Sequence, residues 1–136
     1  MHEPVKDRLE MISSMTPELR PGRFIFCALN EKPLSTAMRD AAICLFREVE
    51  GVSVLLSAEL AEAEGLPVDM PMSQITLQVY SSLAGVGLTA AVSAALGAAN
   101  IPCNMIAAAL HDHVFVPEDR AAEAMAVLIR LSETAR

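Results

Sequence analysis

The sequence predicts an α+β fold in which one antiparallel sheet, with helices mainly on one face, takes strands from both halves of the chain. Three observations carry this expectation. Short apolar runs of strand length alternate with helical stripes along the chain. The halves echo each other, with strand starts 28 residues apart from Phe24 to Val52 and 27 apart from Ile75 to Pro102. The second half reads β-α-β-β-α with no closing strand before Arg136, so a strand from the first half is expected to complete its sheet.

Taken in order, Val5, Leu9 and Ile12 recur at helical spacing among Lys6, Asp7, Arg8 and Glu10, which predicts a short opening helix. Pro17 and Pro21-Gly22 punctuate the chain before a buried strand over Arg23–Leu29. Ser35-Thr36 supply cap chemistry for a helix whose stripe is Met38, Ala41, Ala42, Leu45 and Val49, with Gly51 as its left-handed terminus. Val52–Leu56 reads as a strand, and Ala58–Glu64 as a short acidic helix closed by Gly65 and Pro67. This gives the first half, residues 1–70, the order β-α-β-α.

Residues 71–136 begin a second series. Ile75–Tyr80 alternates branched or aromatic residues with polar ones, the period of a half-buried strand. Leu88, Val92, Ala95, Leu96 and Ala99 mark a helix, and Pro102–Leu110 a weak strand. His111-Asp112 is expected to turn the chain into His113–Val116, and Pro117-Glu118-Asp119 to open a last helix with Ala121, Met125, Leu128 and Ser132 on one face. Ala41-Ala42-Ile43 overlays Ala90-Ala91-Val92, and Val52-Ser53-Val54 overlays Pro102-Cys103-Asn104. The pattern is a degenerate repeat whose halves share one core, because neither alone buries enough apolar surface.

Composition narrows the function. The chain has 136 residues, 53% of them hydrophobic, which argues against disorder. A net charge of −7 with one Tyr, four Phe and no Trp leaves neither a basic patch nor a stacking platform for nucleic acid, and argues against an anionic membrane surface. Leu83–Ala99 is an apolar stretch of 17 residues, short for a hydrocarbon core and rich in Ala and Gly, so a buried helix is expected rather than a membrane span. Cys27, Cys44 and Cys103 are widely spaced with no CxxC pair, the pattern of small buried thiols in a reducing cytoplasm. The N-terminus has early acids and no long apolar run, unlike a secretory signal.

Order and spacing then bring a family into view. Gly87-Leu88 opening a helix, Ala99-Asn100-Ile101-Pro102-Cys103-Asn104-Met105-Ile106, and Val114-Phe115-Val116-Pro117-Glu118-Asp119 before a helix together resemble an ACT domain. The segment is especially similar to the ACT repeats of aspartokinases, whose helix ends in a Gly/Asn-Ile-x-x-x-Met-Ile pattern. Ser81-Ser82-Leu83, Val86–Ala90 and His111–Pro117, with PGRFIFCAL and LFREVEG in the first half, resemble small stand-alone bacterial ACT-like proteins. The resemblance is strongest over residues 74–132. It implies a ferredoxin-like fold, a tandem of two ACT-like units, a regulatory rather than catalytic role, and a small ligand, usually an amino acid, held near the loop after the first strand. The Asp-x-Pro-Gly signature of many ACT loops is replaced here by Gly85-Val86-Gly87.

The candidate ligand residues are Ser82, Leu83, Gly85, Val86, Gly87, Leu88 and Asn104. In the loop, glycines permit close backbone approach and a helix start offers free N–H groups to a carboxylate; the same glycines also suit a plain tight turn. The GVG run lacks the third glycine of a dinucleotide fingerprint. Asn104, in an apolar strand, is expected to be a buried amide that either ties down a loop or faces the ligand. His111 and His113 would share a strand face and could hold a metal, but a turn at Asp112 breaks that geometry and no third ligand lies nearby in sequence. Arg47 could clamp a carboxylate, or simply end a solvated helix. No Ser/His/Asp or Cys/His arrangement supports nucleophilic catalysis. The expectation is a cytoplasmic, non-catalytic homodimer that binds an amino acid or similar zwitterion without cofactor, metal, nucleic acid or membrane; the alternative is a structural or protein-interaction module with no small ligand.

Overall fold

The structure, a computed structural model, describes residues 9, 10, 12–79 and 87–135. The chain divides into two compact units, Gly22–Met72 and the pair of segments Met1–Pro21 and Ser73–Arg136.

The smaller unit runs β2 (Phe24–Leu29), α1 (Thr36–Ala41), β3 (Cys44–Arg47), β4 (Val52–Ser57) and α2 (Ala58–Ala63). Its strands are antiparallel in the order β3-β4-β2, and Phe24 also pairs with Met72. Both helices start on a serine whose hydroxyl accepts an orphan backbone N–H: Ser35 from Met38 at 3.1 Å and Ser57 from Leu60 at 3.2 Å. Ile25, Cys27 and Leu29 of β2 pack with Val54 and Leu56 of β4, and Met38, Ala58 and Ala61 cover them from the helices.

Here the sequence reading of a helix through Val49 is corrected. The helix stops at Ala41, Ala42 is already extended at ψ 134°, and Cys44–Arg47 pairs with Val52–Leu55. Ile43-Cys44-Leu45-Phe46 is a branched and aromatic run that gains ladder hydrogen bonds as a strand, and a short apolar run does not distinguish the two periods. Gly51 therefore closes a β-hairpin, exchanging backbone hydrogen bonds with Glu48 at 2.9 and 3.3 Å. Its φ is +152°, and a Cβ there would lie 3.0 Å from the Leu29 carbonyl oxygen. Arg47 ends a strand rather than a helix.

The larger unit runs β5 (Met72–Gln78), α3 (Leu88–Ala98), β6 (Asn104–Ala107), β7 (Asp112–Pro117), a single 3₁₀ turn (Glu118–Arg120) and α4 (Ala121–Thr134), joined by β1 (Thr16–Leu19) from the start of the chain. β1 pairs antiparallel with β5, from Thr16 opposite Gln78 to Leu19 opposite Ile75. The order β1-β5-β7-β6 places β1 where the fourth strand of a ferredoxin-like βαββαβ unit belongs. A strand from the first half thus completes the sheet, in a segment the sequence marked only by its prolines. Pro17 is compatible with this because β1 is an edge strand.

Ile12 and Met15, near the chain start, join Ile75, Leu77, Val114 and Val116 of the sheet and Leu88, Val92, Leu96, Ala124 and Leu128 of the helices in one core. Ser132 is buried on α4, and its hydroxyl donates to the Ser13 carbonyl at 3.1 Å, tying the last helix to the first segment. Ser132→Ala is expected to lower stability by about 1 kcal/mol, the net worth of one such bond, read as a lower midpoint in denaturant with unchanged slope.

Two further expectations are corrected. The turn between β6 and β7 lies at Ala109-Leu110, not His111-Asp112: Ala107 pairs with Asp112, and the Ala108 N–H donates to the His111 carbonyl at 3.0 Å. Cross-strand pairing of Met105 with Val114 fixes that register and draws Asp112 into the strand. The repeat also realigns. Both halves read β-α-β-β-α, so β4 matches β7 rather than the strand at Pro102–Asn104. Val54-Leu55-Leu56 and Val114-Phe115-Val116 are correspondingly the fully buried triplets of the two strands. Among the described residues no helix is long and apolar enough to cross a membrane.

Candidate functional site

Of the residues proposed from sequence, Ser82, Leu83, Gly85 and Val86 lie outside the described residues. Gly87 stands at the N-cap of α3 with φ +109° and ψ −15°, a left-handed conformation that suits glycine, and its carbonyl accepts the Ala91 N–H at 2.8 Å. Leu88 is buried in the core. Asn104 is the first residue of β6, paired with Phe115, and it is exposed, which corrects the expectation of a buried amide. The reason is positional: β6 ends the strand order, and Asn104 begins it. No hydrogen bond joins the Asn104 side chain to Gly87 or Leu88 among the described residues.

The alternation of β5 and β7 gives the sheet a second side, on which Thr76 and Phe115 are buried. Ile75, Leu77, Val114 and Val116 point into the helix-covered core, so Gln74, Thr76, Gln78, His113 and Phe115 face the other way. Glu18 lies opposite Thr76 in the register, and Arg20 N–H donates to the Gln74 carbonyl at 2.8 Å. On this side of the sheet Gln74 Nε2 and Thr76 Oγ1 lie 3.2 and 3.1 Å from His113 Nδ1. Glu18 accepts from Arg20 Nη1 at 2.6 Å and from Gln78 Nε2 at 3.1 Å. His111 stands edge-on to His113 with ring centroids 6.4 Å apart and planes at 86°.

Electrostatics follows the geometry. Hydrogen bonds from Gln78 and Arg20 hold the Glu18 carboxyl below its ordinary range, with smaller help from the charges of Arg20 and His111. Partial burial pushes the His113 imidazole down, aided by His111 and Arg20 and opposed by Asp112. Burial raises the Cys27 and Cys103 thiols, so neither is an activated nucleophile. No group of three or more His, Cys, Asp or Glu is placed to hold a metal among the described residues. Sequence reasoning singled out His111 and His113 but missed Gln74, Thr76, Glu18 and Arg20. The signal for the β5 pair was present in the polar alternation of Gln74, Thr76 and Gln78, whereas nothing local announced β1.

Two profiles of the ACT domain match in tandem, one over residues 5–73 and the other over residues 70–130. The chain belongs to the ACT domain family. Among solved structures this ACT protein is similar to a protein of unknown function from Vibrio cholerae, described as a possible transport protein, with 37% identity, a TM-score of 0.84, and coverage of 96% of this chain and 99% of that one. A protein from Agrobacterium tumefaciens shares the fold at 16% identity and a TM-score of 0.68, covering 87% of this chain and 89% of its own. No curated protein matches the chain. The tandem match agrees with the two βαββα series, and ACT domains generally bind small ligands such as amino acids for regulation.

Proposed function

We propose that this ACT protein is a non-catalytic, cytoplasmic regulator that binds an amino acid or similar zwitterion and acts as a homodimer. The observation that carries the reading is the tandem ACT match over a βαββα repeat, with Gly87 in a left-handed conformation at the strand-to-helix junction. The proposed ligand residues are Ser82, Leu83, Gly85, Val86, Gly87, Leu88 and Asn104, the backbone N–H groups at the start of α3 receiving the carboxylate. An anion there would also complement the partial positive charge of an 11-residue helix that has no acid in its first turn.

A thermal-shift screen of the free amino acids tests this. A ligand present at 100 times its Kd is expected to add about 2.7 kcal/mol of stability. A flat response across the set, confirmed by calorimetry, rejects the reading. The second reading, an interaction module without small ligand, is favoured by one feature: Ile43, Phe46 and Val49 of the smaller unit are 46%, 66% and 103% exposed. Under that reading the screen is flat and Phe46→Ser changes the sedimentation behaviour.

A further inference from the structure

β3 stands at one end of the strand order and leaves an edge of backbone open. Glu48 and Gly51 exchange both backbone hydrogen bonds across the hairpin, so the alternation of an antiparallel ladder turns Cys44 and Phe46 toward β4 and Leu45 and Arg47 away from it. The Ile43 N–H also donates to the carbonyl of Leu55, the residue opposite Cys44, at 2.9 Å. Ile43 and Cys44 thus share one partner residue, a bulge that closes the edge ahead of Leu45. The open groups are the N–H and C=O of Leu45 and of Arg47, with no proline or lysine among residues 45–47 to block them.

Side chains at this edge are apolar and uncovered. Leu45 packs toward Met38, Ala58 and Ala61, so Phe46 points to the other side of the sheet. Its row continues through Ser53 and Ala28, which are too small to shield the ring. Phe24 and Leu55 on that side are buried, so the apolar surface left open lies at the edge and at Phe26. Ile43 and Val49, also exposed, stand at equal distances along the chain before and after Phe46.

Such an edge is complementary to itself. With Phe46 on a two-fold axis, Leu45 of one protomer meets the partner's Arg47, and every open N–H and C=O of both copies is paired. A register centred on Leu45 or on Arg47 would leave the other residue's groups unpaired. The Phe46 register also sets the two aromatic rings side by side and brings Ile43 of each copy to the partner's Val49, so the exposed apolar side chains cover one another. We propose that β3 is the self-association edge of this chain, pairing antiparallel with β3 of a second copy across a two-fold axis at Phe46. The interface rests on the homodimer proposed above, and not on the amino acid.

Disulfide trapping tests the register. Residues facing each other in a non-hydrogen-bonded antiparallel pair have Cα atoms about 4.5 Å apart, within the span of a disulfide. Phe46→Cys, made together with Cys44→Ser to remove the neighbouring thiol, should form a covalent dimer on mild oxidation that reductant reverses. Phe26→Cys, exposed on the same side two strands further in, should crosslink at least about tenfold more slowly, because its two copies would lie more than about 20 Å apart. Arg47→Pro removes an N–H that points away from β4, so the hairpin is expected to persist while dimerisation in sedimentation weakens at least about tenfold. If the hairpin fails in that variant, the trapping result decides. A wild-type chain that sediments as a monomer at tens of micromolar rejects the homodimer and this interface together. A wild-type dimer in which Phe46→Cys traps no faster than Phe26→Cys, or whose association is unchanged by Arg47→Pro, overturns the interface and leaves the homodimer standing.

Discussion

Replacing Phe115 with alanine is expected to remove about 3–5 kcal/mol of folding stability, the usual cost of deleting a fully buried aromatic ring. Phe115 is 1% exposed, although it faces away from Val114 and Val116, which are themselves fully buried in the helix-covered core. β7 is therefore covered on both faces at its centre. In a half-buried strand Phe115 would point to solvent, and its loss would cost less than about 0.5 kcal/mol. Urea unfolding of the variant distinguishes the two, through a large fall in midpoint or almost none.

The same burial explains which strands the sequence announced. Val52–Leu56 and His113–Val116 are near-continuous branched and aromatic runs because both faces of β4 and β7 exclude water, and such runs stand out against polar surroundings. β1 and β3 did not stand out. Thr16-Pro17-Glu18-Leu19 is almost wholly exposed and is held by pairing with β5, so its sequence carries little hydrophobic period. Cys44-Leu45-Phe46-Arg47 follows a well-capped helix without punctuation, and four residues fit a 3.6 period as readily as a period of two. β1 is fixed by a partner distant in sequence, β5, whereas β3 is fixed by β4 across the hairpin at Gly51, whose glycine reads equally well as the end of a helix.

The mistaken repeat alignment has the same origin. With β3 read as helix, the first half lost a strand and β4 was laid over the start of β6. Restoring β3 makes β4 and β7 equivalent, and the tandem ACT matches follow that duplication. The sequence reading set His111 and His113 on either side of a turn at Asp112; with the turn at Ala109-Leu110 instead, the two rings meet edge-on. The amide and hydroxyl that hold His113 came from β5, 39 and 37 residues away. No local pattern encodes such a contact. Only the residue types able to make it were visible.

For the proposed amino-acid site, Asn104→Leu should separate binding from stability. As an exposed residue at a strand start, Asn104 should lose at most about 0.5 kcal/mol of stability on this change, within the usual range for surface positions. If its amide meets the ligand, affinity should fall by about 1–3 kcal/mol, roughly 5- to 150-fold, because the ligand loses a hydrogen-bonding partner in a desolvated contact. Gly87→Val is a blunter instrument. At φ +109° a β-branched residue is strained whatever space surrounds it, so the start of α3 must rearrange and stability falls together with binding. Calorimetric titration of Asn104→Leu, alongside its melting curve, therefore decides the matter: a weakened affinity with an unmoved melt places Asn104 against the ligand. An unmoved affinity takes it out of the site, and Ser82, Leu83, Gly85, Val86, Gly87 and Leu88 would then have to hold the amino acid without it.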